Sequence, residues 1–300
     1  MTSPSKQDPK LATPNQELYH YYPTEEDKQR INVHYEQPPE FFYLITGGEW
    51  TTYSCNLWSD GITNDTESQE AKLDMMAEHM ELKPGQRILD VGCGWAGPLI
   101  YFCKKYGVRG VGVTTSPMQK RAAEERIARY GVDVQIVETH WRDFEDDEGF
   151  DAVYTDEVLV HFNDLGDYFK KVYALLHDGG HMVNKELHLT HRRHAQLSRA
   201  GSFVHEIYGG TGNYRTLAEE LTLAGEADFE VQAVQNMPRV HYQKTSDRWV
   251  TNMQQHKKEL VALVGPDHYR RFLMYLKIAR QGHSRSVFSM DVVVCHKAKL

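Results

Sequence analysis

The sequence predicts an α/β fold with a mainly parallel sheet that helices cover on both faces. Short apolar segments, typical of buried strands, alternate with longer charged segments that are typical of helices. A glycine-rich loop at residues 92–97 separates the first of these strands from the helix that follows it. The chain has 300 residues, of which 40% are hydrophobic, and this is enough to form a sizeable core.

The first part of the chain precedes this alternation. Residues 1–23 are polar and rich in proline, and we expect a flexible N-terminal segment there. Residues 24–84 are polar and amphipathic, which predicts an N-terminal helical cap that ends where Pro84 and Gly85 break the chain. Residues 85–300 are then expected to form the cofactor-binding domain.

Within residues 85–300 the elements follow in order. Strands are predicted at residues 87–91, 110–113, 134–137, 150–154 and 181–184, and helices at 98–106, 117–130 and 165–176. The last helix is predicted to end at Asp178-Gly-Gly180, which is a typical C-cap sequence. Closing strands are predicted at 229–234 and 287–294, with helices at 217–224 and 247–281. Residues of about 188–216 and 240–282 are expected to form a lid over the substrate.

Composition excludes several classes of function. The formal net charge of −8 gives no support to general nucleic-acid binding. No stretch approaches the roughly 20 apolar residues that span a bilayer, and the N-terminal residues lack the apolar core of a signal peptide. We therefore expect a cytoplasmic protein without a transmembrane segment. The four cysteines are scattered, so neither a zinc site nor a disulfide framework is predicted.

The glycine loop indicates a nucleotide-type cofactor. Gly92, Gly94 and Gly97 form a Gly-x-Gly-x-x-Gly motif between a predicted strand and a predicted helix. Asp90 directly precedes the loop, where it can hold a ribose or the amino acid part of a cofactor. The second strand ends at Val113-Thr-Thr-Ser116 without the carboxylate that an NAD ribose requires, so neutral hydrogen bonds from Thr114 or Gln119 would replace it.

Motifs distributed from about His34 to the C-terminus make this prediction more specific. They are His34-Tyr35, Phe41-Phe42, Thr52-Tyr-Ser-Cys55, Asp90-Val-Gly-Cys-Gly-Trp95, Gly112-Val-Thr-Thr-Ser116, Gln119, His140-Trp141, His161, Tyr242-Gln-Lys-Thr245 and Trp249. With these motifs the sequence resembles the cyclopropane fatty acid and mycolic acid synthase family of S-adenosylmethionine-dependent C-methyltransferases.

The resemblance implies a Rossmann-like class I methyltransferase fold with a seven-stranded sheet, and S-adenosylmethionine as cofactor. The residues then expected at the cofactor are Tyr53, Ser54, Asp90, Gly92, Gly94, Gly97, Thr114, Thr115, Gln119 and Trp141. Trp141 would stack near the adenine, although an ordinary core aromatic is the alternative.

The resemblance also implies methyl transfer to the carbon of an alkene in a lipid chain, through a carbocation that loses a proton to a base. Ring-forming members hold bicarbonate as that base, with a cysteine, a glutamate, a histidine and a tyrosine. Cys55 and Tyr242 match this set, whereas Val160 stands at the glutamate position and Lys185 at the histidine position. The set is therefore incomplete, and cyclopropane formation does not follow from the resemblance.

Glu157 is a candidate replacement for the missing base. It follows the fourth strand, at the edge of the sheet where the substrate is expected, and the family usually has glycine there. We hypothesise that Glu157 is the direct general base and that Cys55, His161 and Tyr242 complete the catalytic set. The alternative is that Glu157 is a solvated or cofactor-holding carboxylate.

Cationic residues around the expected lid suggest an anionic head group. The residues expected to bind substrate are Lys185, His188, Arg192, Arg193, Tyr214, Arg215 and Lys244. We expect a prenyl diphosphate acceptor, with Mg²⁺ as a candidate partner of the diphosphate and His205-Glu206 as candidate metal ligands. A solvated charged surface is the alternative for any one of these residues.

Other functions remain open on the sequence. They are methylation or cyclopropanation of unsaturated fatty acyl lipids, N- or O-methylation of a small metabolite, and cofactor binding without catalysis. A homo-oligomer is also compatible with the sequence.

Overall fold

A mainly parallel sheet forms the centre of the molecule. The computed structural model describes residues 21–195, 199–207, 209–210 and 212–299. Its strands are β1 (Arg87–Val91), β2 (Arg109–Thr114), β3 (Val134–Glu138), β4 (Phe150–Asp156), β5 (Leu176–Leu189), β6 (Glu230–Met237) and β7 (Phe288–His296). Within the described residues these form one seven-stranded sheet in the order β3-β2-β1-β4-β5-β7-β6. The antiparallel pairs are those that β7 makes with β5 and β6.

Helices surround this sheet. They are α1 (Thr24–Tyr35), α2 (Pro39–Thr46), α3 (Asp65–His79), α4 (Gly97–Tyr106), α5 (Pro117–Tyr130), α6 (Leu165–Leu175), α7 (Arg199–Ile207), α8 (Leu217–Glu226), α9 (Arg239–Gln255) and α10 (Lys257–Ser284). Helix α10 bends at Gly265, whose φ of +80° is not helical, and Pro266 follows it. The predicted α/β class with a mainly parallel sheet is confirmed.

Local sequence explains the boundaries that were predicted most closely. Helix α5 covers the predicted residues because Ser116 caps its first turn by accepting a hydrogen bond from the backbone N–H of Gln119. Pro117 occupies the first helical position, where its missing N–H costs no hydrogen bond. Gly131 ends the helix with a φ of +64°, which favours glycine.

The predicted helical cap differs from the observed structure. Residues 24–84 contain α1, α2 and α3, but residues 47–64 connect α2 to α3 without an α-helix. Gly47 and Gly48 end α2 with φ values of +59° and +68°. Both approach side chains of α3 so closely that a Cβ atom would clash, at 2.5 Å from Asp65 Oδ2 and 2.5 Å from Gln69 Oε1. Residues 1–20 of the predicted flexible segment lie outside the described residues.

The predicted C-cap at Asp178-Gly-Gly180 was wrong. Helix α6 ends at Leu175 and β5 begins directly at Leu176, which pairs with Phe150 of β4. The register between the two strands then shifts, and Gly179 adopts a φ of +84° while its N–H donates to the carbonyl of Lys297. The glycines therefore form an irregularity inside β5, which is also longer than predicted because it pairs with both β4 and β7.

Helices α2, α9 and α10 pack together above the carboxyl edge of the sheet. Their contact is a cluster of buried aromatic side chains that includes Phe41, Phe42, Trp249, Phe272 and Tyr275. Trp95 of the glycine loop packs into this cluster, with its ring centroid 4.6 Å from that of Phe42. The cluster joins α9 and α10, which belong to the predicted lid, to the loop that is expected to bind the cofactor. No helix in the described part of the chain has the length and apolar character that crossing a bilayer requires.

Candidate active site

A cavity of about 130 Å³ lies at the carboxyl ends of β1, β2 and β4. We call it the glycine-loop cavity. The predicted cofactor residues that line it are Tyr53, Ser54, Asp90, Gly92, Gly94, Thr114, Thr115, Gln119 and Trp141. Helix α1 covers one side of the cavity with Ile31, Asn32 and Tyr35. The sequence analysis thus predicted residues from four separate segments of the chain that line one cavity.

The three motif glycines serve different purposes. Gly94 has a φ of +53° and no atom within 4 Å of the position of a Cβ, so its backbone is open to the cavity. Gly92 has a φ of +89°, and a Cβ there would lie 2.7 Å from the Val158 side chain. Gly97 was predicted at the cofactor but does not line the cavity. A Cβ on Gly97 would lie 1.6 Å from the carbonyl oxygen of Trp50, so this glycine is needed for packing.

Polar groups around the cavity are available to a cofactor. Asp90 is buried and accepts a hydrogen bond of 2.7 Å from the Tyr154 hydroxyl, and burial raises the pKa of Asp90 to about 7. Thr114 donates to Gln119 Oε1 at 2.7 Å, which orients the amide of Gln119. Nε1 of Trp141 is buried without a hydrogen-bond partner among the described residues. These groups and the open backbone at Gly94 fit a polar nucleoside cofactor.

Glu157 lines the same cavity and has an unusual backbone. Its φ is +61°, a left-handed conformation that strains any residue with a Cβ. Its N–H donates to the carbonyl of Lys185 at 2.7 Å, which holds this conformation. Oε1 accepts hydrogen bonds of 2.5 Å from the Cys55 N–H and 2.5 Å from Lys185 Nζ. One carboxylate oxygen of Glu157 is therefore fixed in place.

A buried ion network continues from Glu157. Lys185 Nζ also donates to Asp156 Oδ1 at 2.9 Å, and Asp156 Oδ2 accepts from Lys72 Nζ and Ser54 Oγ at 2.6 Å each. Burial alone would lower the pKa of Lys185, but the charges of Asp156 and Glu157 raise it above its ordinary value. Burial lowers the pKa of Lys72. Two lysines thus balance two carboxylates at the end of β4.

The other predicted catalytic residues have neutral side chains. Burial raises the pKa of the Cys55 thiol to about 12, so its backbone N–H rather than a thiolate contacts Glu157. Burial lowers the pKa of His161 to about 4, and its Nε2 shares a 3.1 Å hydrogen bond with the Tyr35 hydroxyl. Burial is the main cause that raises the pKa of Tyr242, and the negative charge of Glu157 raises it as well. The structure brings Cys55, Glu157 and Lys185 into contact and places His161 on the same cavity.

A second cavity, of about 240 Å³, lies under the predicted lid. We call it the lid cavity. The 3₁₀ helix Arg192–Ala195, helix α7, the end of α10 and strand β7 surround it. Apolar side chains such as Leu187, Leu189, Ile278 and Phe288 line it together with Tyr214 and Tyr242. Of the predicted substrate residues, Arg192 and Tyr214 therefore contact this space.

Five predicted substrate residues line neither cavity: Lys185, which contacts Glu157, and His188, Arg193, Arg215 and Lys244. His188 does not line either cavity, since alternation along β5 directs Lys185, Leu187 and Leu189 to one face and His188 to the other. His188 is buried, with its Nε2 2.6 Å from Glu220 Oε2 and its Nδ1 3.1 Å from Asp291 Oδ2. Burial alone would lower the pKa of His188, but the hydrogen bonds to these two carboxylates raise it to about 10.

The remaining cations also differ from the prediction. Arg215 is buried and donates to the carbonyls of Asn213 and Asn163. Arg193 and Lys244 are exposed and line neither of the two cavities. Arg192 lines the lid cavity but forms a 2.7 Å ion pair with Glu219. The cationic cluster that a diphosphate needs is not assembled by these side chains.

Three ionisable residues in or next to the site were not predicted from the sequence. Asp156 and Glu186 are next to the predicted Glu157 and Lys185 in the sequence, so these neighbours could have indicated them. Lys72 of α3 is far from both in the sequence, and no motif there indicates a role in the site. Glu186 is 3% exposed and accepts a 3.3 Å hydrogen bond from the Val160 N–H. Burial raises the pKa of Glu186 to about 8.

In the described part of the chain, no group of three or more His, Cys, Asp or Glu side chains is arranged to hold a metal ion.

Comparisons with known proteins agree with this geometry. The family model described as mycolic acid cyclopropane synthetase matches residues 23–296. The chain is 28% identical to a probable fatty acid methyltransferase of Pseudomonas putida over 257 residues, which are 83% of this chain and 64% of that protein. It is 28% identical to a probable fatty acid methyltransferase of Mycobacterium tuberculosis over 281 residues, 90% of this chain and 63% of that protein. The chain thus spans less than two thirds of either relative.

A solved structure is similar over most of its length. The mycolic acid cyclopropane synthase CmaA1, complexed with SAH and CTAB, superposes with a TM-score of 0.83 at 25% sequence identity. The match covers 90% of this chain and 98% of that one.

Proposed function

The chain belongs to the mycolic acid cyclopropane synthetase family of S-adenosylmethionine-dependent methyltransferases, and we propose that it methylates an alkene carbon of a hydrocarbon chain with Glu157 as the base. The cofactor is S-adenosylmethionine, which supplies an electrophilic methyl group. The glycine-loop cavity holds it, with the open backbone at Gly94 and the polar side chains of Asp90 and Gln119 as candidate contacts.

When bound, S-adenosylmethionine would give its methyl group to the alkene, whose electron pair would form the new carbon–carbon bond, and the electrons of the methyl–sulfur bond would stay with sulfur in the S-adenosylhomocysteine that is released. A carbocation then remains on the substrate chain. The aromatic cluster above the cavity, including Tyr53, Trp249 and Phe272, offers ring faces that stabilise positive charge. The cation loses a proton to the Glu157 carboxylate, and the C–H electron pair forms either a double bond or a cyclopropane ring.

The observation that carries this proposal is the binding of one Glu157 oxygen by Cys55 N–H and Lys185 Nζ. These two donors fix the carboxylate and leave Oε2 for the substrate proton. Cys55 and Lys185 stand at positions where the sequence resemblance implies bicarbonate ligands. A carboxylate supplied by the chain therefore takes the role of a bound bicarbonate ion.

We further propose that the acceptor is an unsaturated acyl lipid. The lid cavity is mainly apolar, and Arg192, the predicted cation that lines it, is paired with Glu219. The names of a similar sequence, probable fatty acid methyltransferase, and of a similar solved structure, mycolic acid cyclopropane synthase, support a lipid chain. A prenyl diphosphate is the second candidate, because Arg192 and the exposed Arg285 both line the cavity. Mg²⁺ would then accompany the diphosphate.

Substitution of Glu157 tests the base. Glu157→Gln keeps the shape but removes the basic oxygen, and we expect turnover to fall about 10²–10⁴-fold. Glu157→Gly suits the left-handed backbone and opens space beside Lys185, so added formate or bicarbonate should restore part of its activity. Glu186→Gln removes a neighbouring buried carboxyl that lines neither cavity and is the matched control. Near-normal turnover of Glu157→Gln with an unchanged product would refute the proposal.

The acceptor is tested separately with labelled S-adenosylmethionine. Unsaturated phospholipids and geranyl diphosphate are offered in parallel, and products are identified by mass spectrometry and NMR. Labelled lipid supports the acyl proposal, whereas label in the diphosphate alone supports the second candidate and overturns the first.

A further inference from the structure

The inner end of the lid cavity contains polar groups that the proposed chemistry does not use. Tyr214, Tyr242 and His283 line it between apolar neighbours. Their rings form a continuous wall through Phe288. The centroids of Tyr242 and His283 are 3.5 Å apart in a stacked pair, those of His283 and Phe288 5.8 Å, and those of Phe288 and Tyr214 4.9 Å. We call these four residues the ring wall.

The polar atoms of the ring wall lack partners. His283 is 1% exposed, and its Nδ1 has no hydrogen-bond partner among the described residues. No hydrogen bond within the described residues engages the hydroxyl of Tyr214 or that of Tyr242. Buried polar groups usually have hydrogen-bond partners, and leaving one without a partner costs about 1–3 kcal/mol. The cavity is lined by the unpaired Nδ1 of His283 and by two tyrosine hydroxyls that make no hydrogen bond among the described residues, so it is suited to bind a polar atom.

The wall is also close to the reacting centre and carries no charge. Burial, together with the charges of nearby Arg239 and Lys185, lowers the pKa of His283 to about 3, so its imidazole is neutral at ordinary pH. Tyr214 and Tyr242 are near enough for the charge of Glu157 to contribute to their raised pKa values. Neutral groups with Glu157 nearby do not favour an anion, but they can donate to an uncharged oxygen.

From this arrangement we infer that the ring wall binds an uncharged carbonyl or hydroxyl oxygen of the acceptor, close to the reacting double bond. The inference deepens the proposed function, since it narrows the acceptor to an unsaturated chain that carries an ester, thioester, keto or hydroxyl oxygen. Hydrogen bonds from the wall would fix the chain along its own axis. The position of the double bond relative to Glu157 would then be set by its distance from that oxygen.

Binding experiments test the inference without methyl transfer, so that its outcome is independent of the role of Glu157. The protein with bound S-adenosylhomocysteine is titrated by calorimetry with a medium-chain ketone and with the alkane and the carboxylate of equal length. We expect the ketone to bind about tenfold more tightly than the alkane, from one or two neutral hydrogen bonds. We also expect the ketone to bind more tightly than the carboxylate.

Variants of the ring wall test which residues cause the preference for the ketone over the alkane. His283→Phe keeps the ring stack but removes the imidazole, and Tyr214→Phe removes one hydroxyl. Each should reduce the ketone-to-alkane ratio several-fold. Phe288→Leu, which changes the same wall without removing a polar atom, should weaken both ligands and leave the ratio intact. Thermal melting first establishes that each variant is folded. A ratio near one in the unmodified protein, a ratio that His283→Phe and Tyr214→Phe both leave unchanged, or tighter binding of the carboxylate overturns the inference.

Discussion

Gly94 and Gly97 of the glycine loop are under different physical constraints. We expect alanine at Gly97 to lower mainly the stability of the fold, and alanine at Gly94 to weaken mainly cofactor binding. Gly97→Ala places a Cβ 1.6 Å from a backbone carbonyl, which cannot move aside as a flexible side chain can. We expect the free energy of unfolding to fall by about 3 kcal/mol or more. Gly94→Ala meets open space, so only the left-handed backbone opposes it, at about 1 kcal/mol.

Denaturant unfolding measures the first effect, and titration with S-adenosylhomocysteine measures the second. Gly94→Ala should weaken cofactor binding because the added methyl group points into the glycine-loop cavity. Equal stability losses in the two variants would contradict this division.

Glu186 should make the stability of the protein depend on pH. Its pKa is about 8 in the folded chain and about 4.5 when exposed, so between these values the folded state holds a proton that the unfolded state has lost. The free energy of unfolding therefore falls as pH rises from about 4.5 to about 8, by roughly 1 kcal/mol per pH unit from this group. Glu186→Gln cannot ionise and should show a shallower decline.

Denaturant unfolding across this pH range compares the two proteins. Glu226→Gln, at an exposed position of α8, is the control and should keep the original slope. Equal slopes for Glu186→Gln and the unmodified protein would show that Glu186 is not a buried acid with a raised pKa.

Sequence reasoning found residues of the site when their own neighbours carried the signal. Glu157 and Lys185 were singled out because they depart from a family pattern, and the structure joins them by a 2.5 Å hydrogen bond. His188 was predicted at the substrate because a cation in a lid segment resembles a ligand-binding group, whereas its side chain lies between Glu220 and Asp291. Only the pairing of β5 with β7 reveals that Asp291 receives it. Hydrogen-bond partners that lie far apart in the sequence cannot be identified from a local sequence pattern.

At the scale of elements, periodicity predicted the central strands because buried parallel strands are continuously apolar. The connections were less predictable. Residues 47–64 form an irregular connection, and its first residues, Gly47 and Gly48, make close contacts with α3. The glycines at 179–180 resemble a helix cap in sequence, but β4 pairs with Leu176 and extends β5 back to the end of α6. Tertiary pairing thus overrides a local signal.

Helix α1 should control release of the cofactor product. It covers the glycine-loop cavity and is fastened by Asn32, whose Nδ2 donates to the Thr115 carbonyl at 3.1 Å and whose Oδ1 accepts from Thr115 Oγ1 at 3.1 Å. Asn32→Ala removes both bonds, at about 0.5–1.5 kcal/mol each. We expect S-adenosylhomocysteine to dissociate roughly tenfold faster, as measured by stopped-flow fluorescence. Val33→Ala, on the exposed side of the same helix, is the control. The same rate for both variants would exclude this role of α1.

At the scale of the whole molecule, residues 24–84 and 85–300 share the active site. Ser54 donates to Asp156, the N–H of Asn56 donates to Thr245 Oγ1, and Arg248 forms an ion pair with Asp65. The glycine-loop cavity also takes its walls from both parts. We therefore propose that the two predicted units unfold together, although the sequence distinguishes them.

Cofactor binding provides the test of this proposal. A ligand that binds only the folded state at a hundred times its dissociation constant adds about 2.7 kcal/mol to the free energy of unfolding. If both parts belong to one cooperative unit, S-adenosylhomocysteine should shift a single denaturation transition by this amount, in circular dichroism and in tryptophan fluorescence alike. Two transitions, of which the ligand moves one, would instead establish that residues 24–84 fold independently. A single transition that moves as a whole would mean that the N-terminal helices and the sheet unfold as one cooperative unit, since the cofactor cavity takes its walls from both.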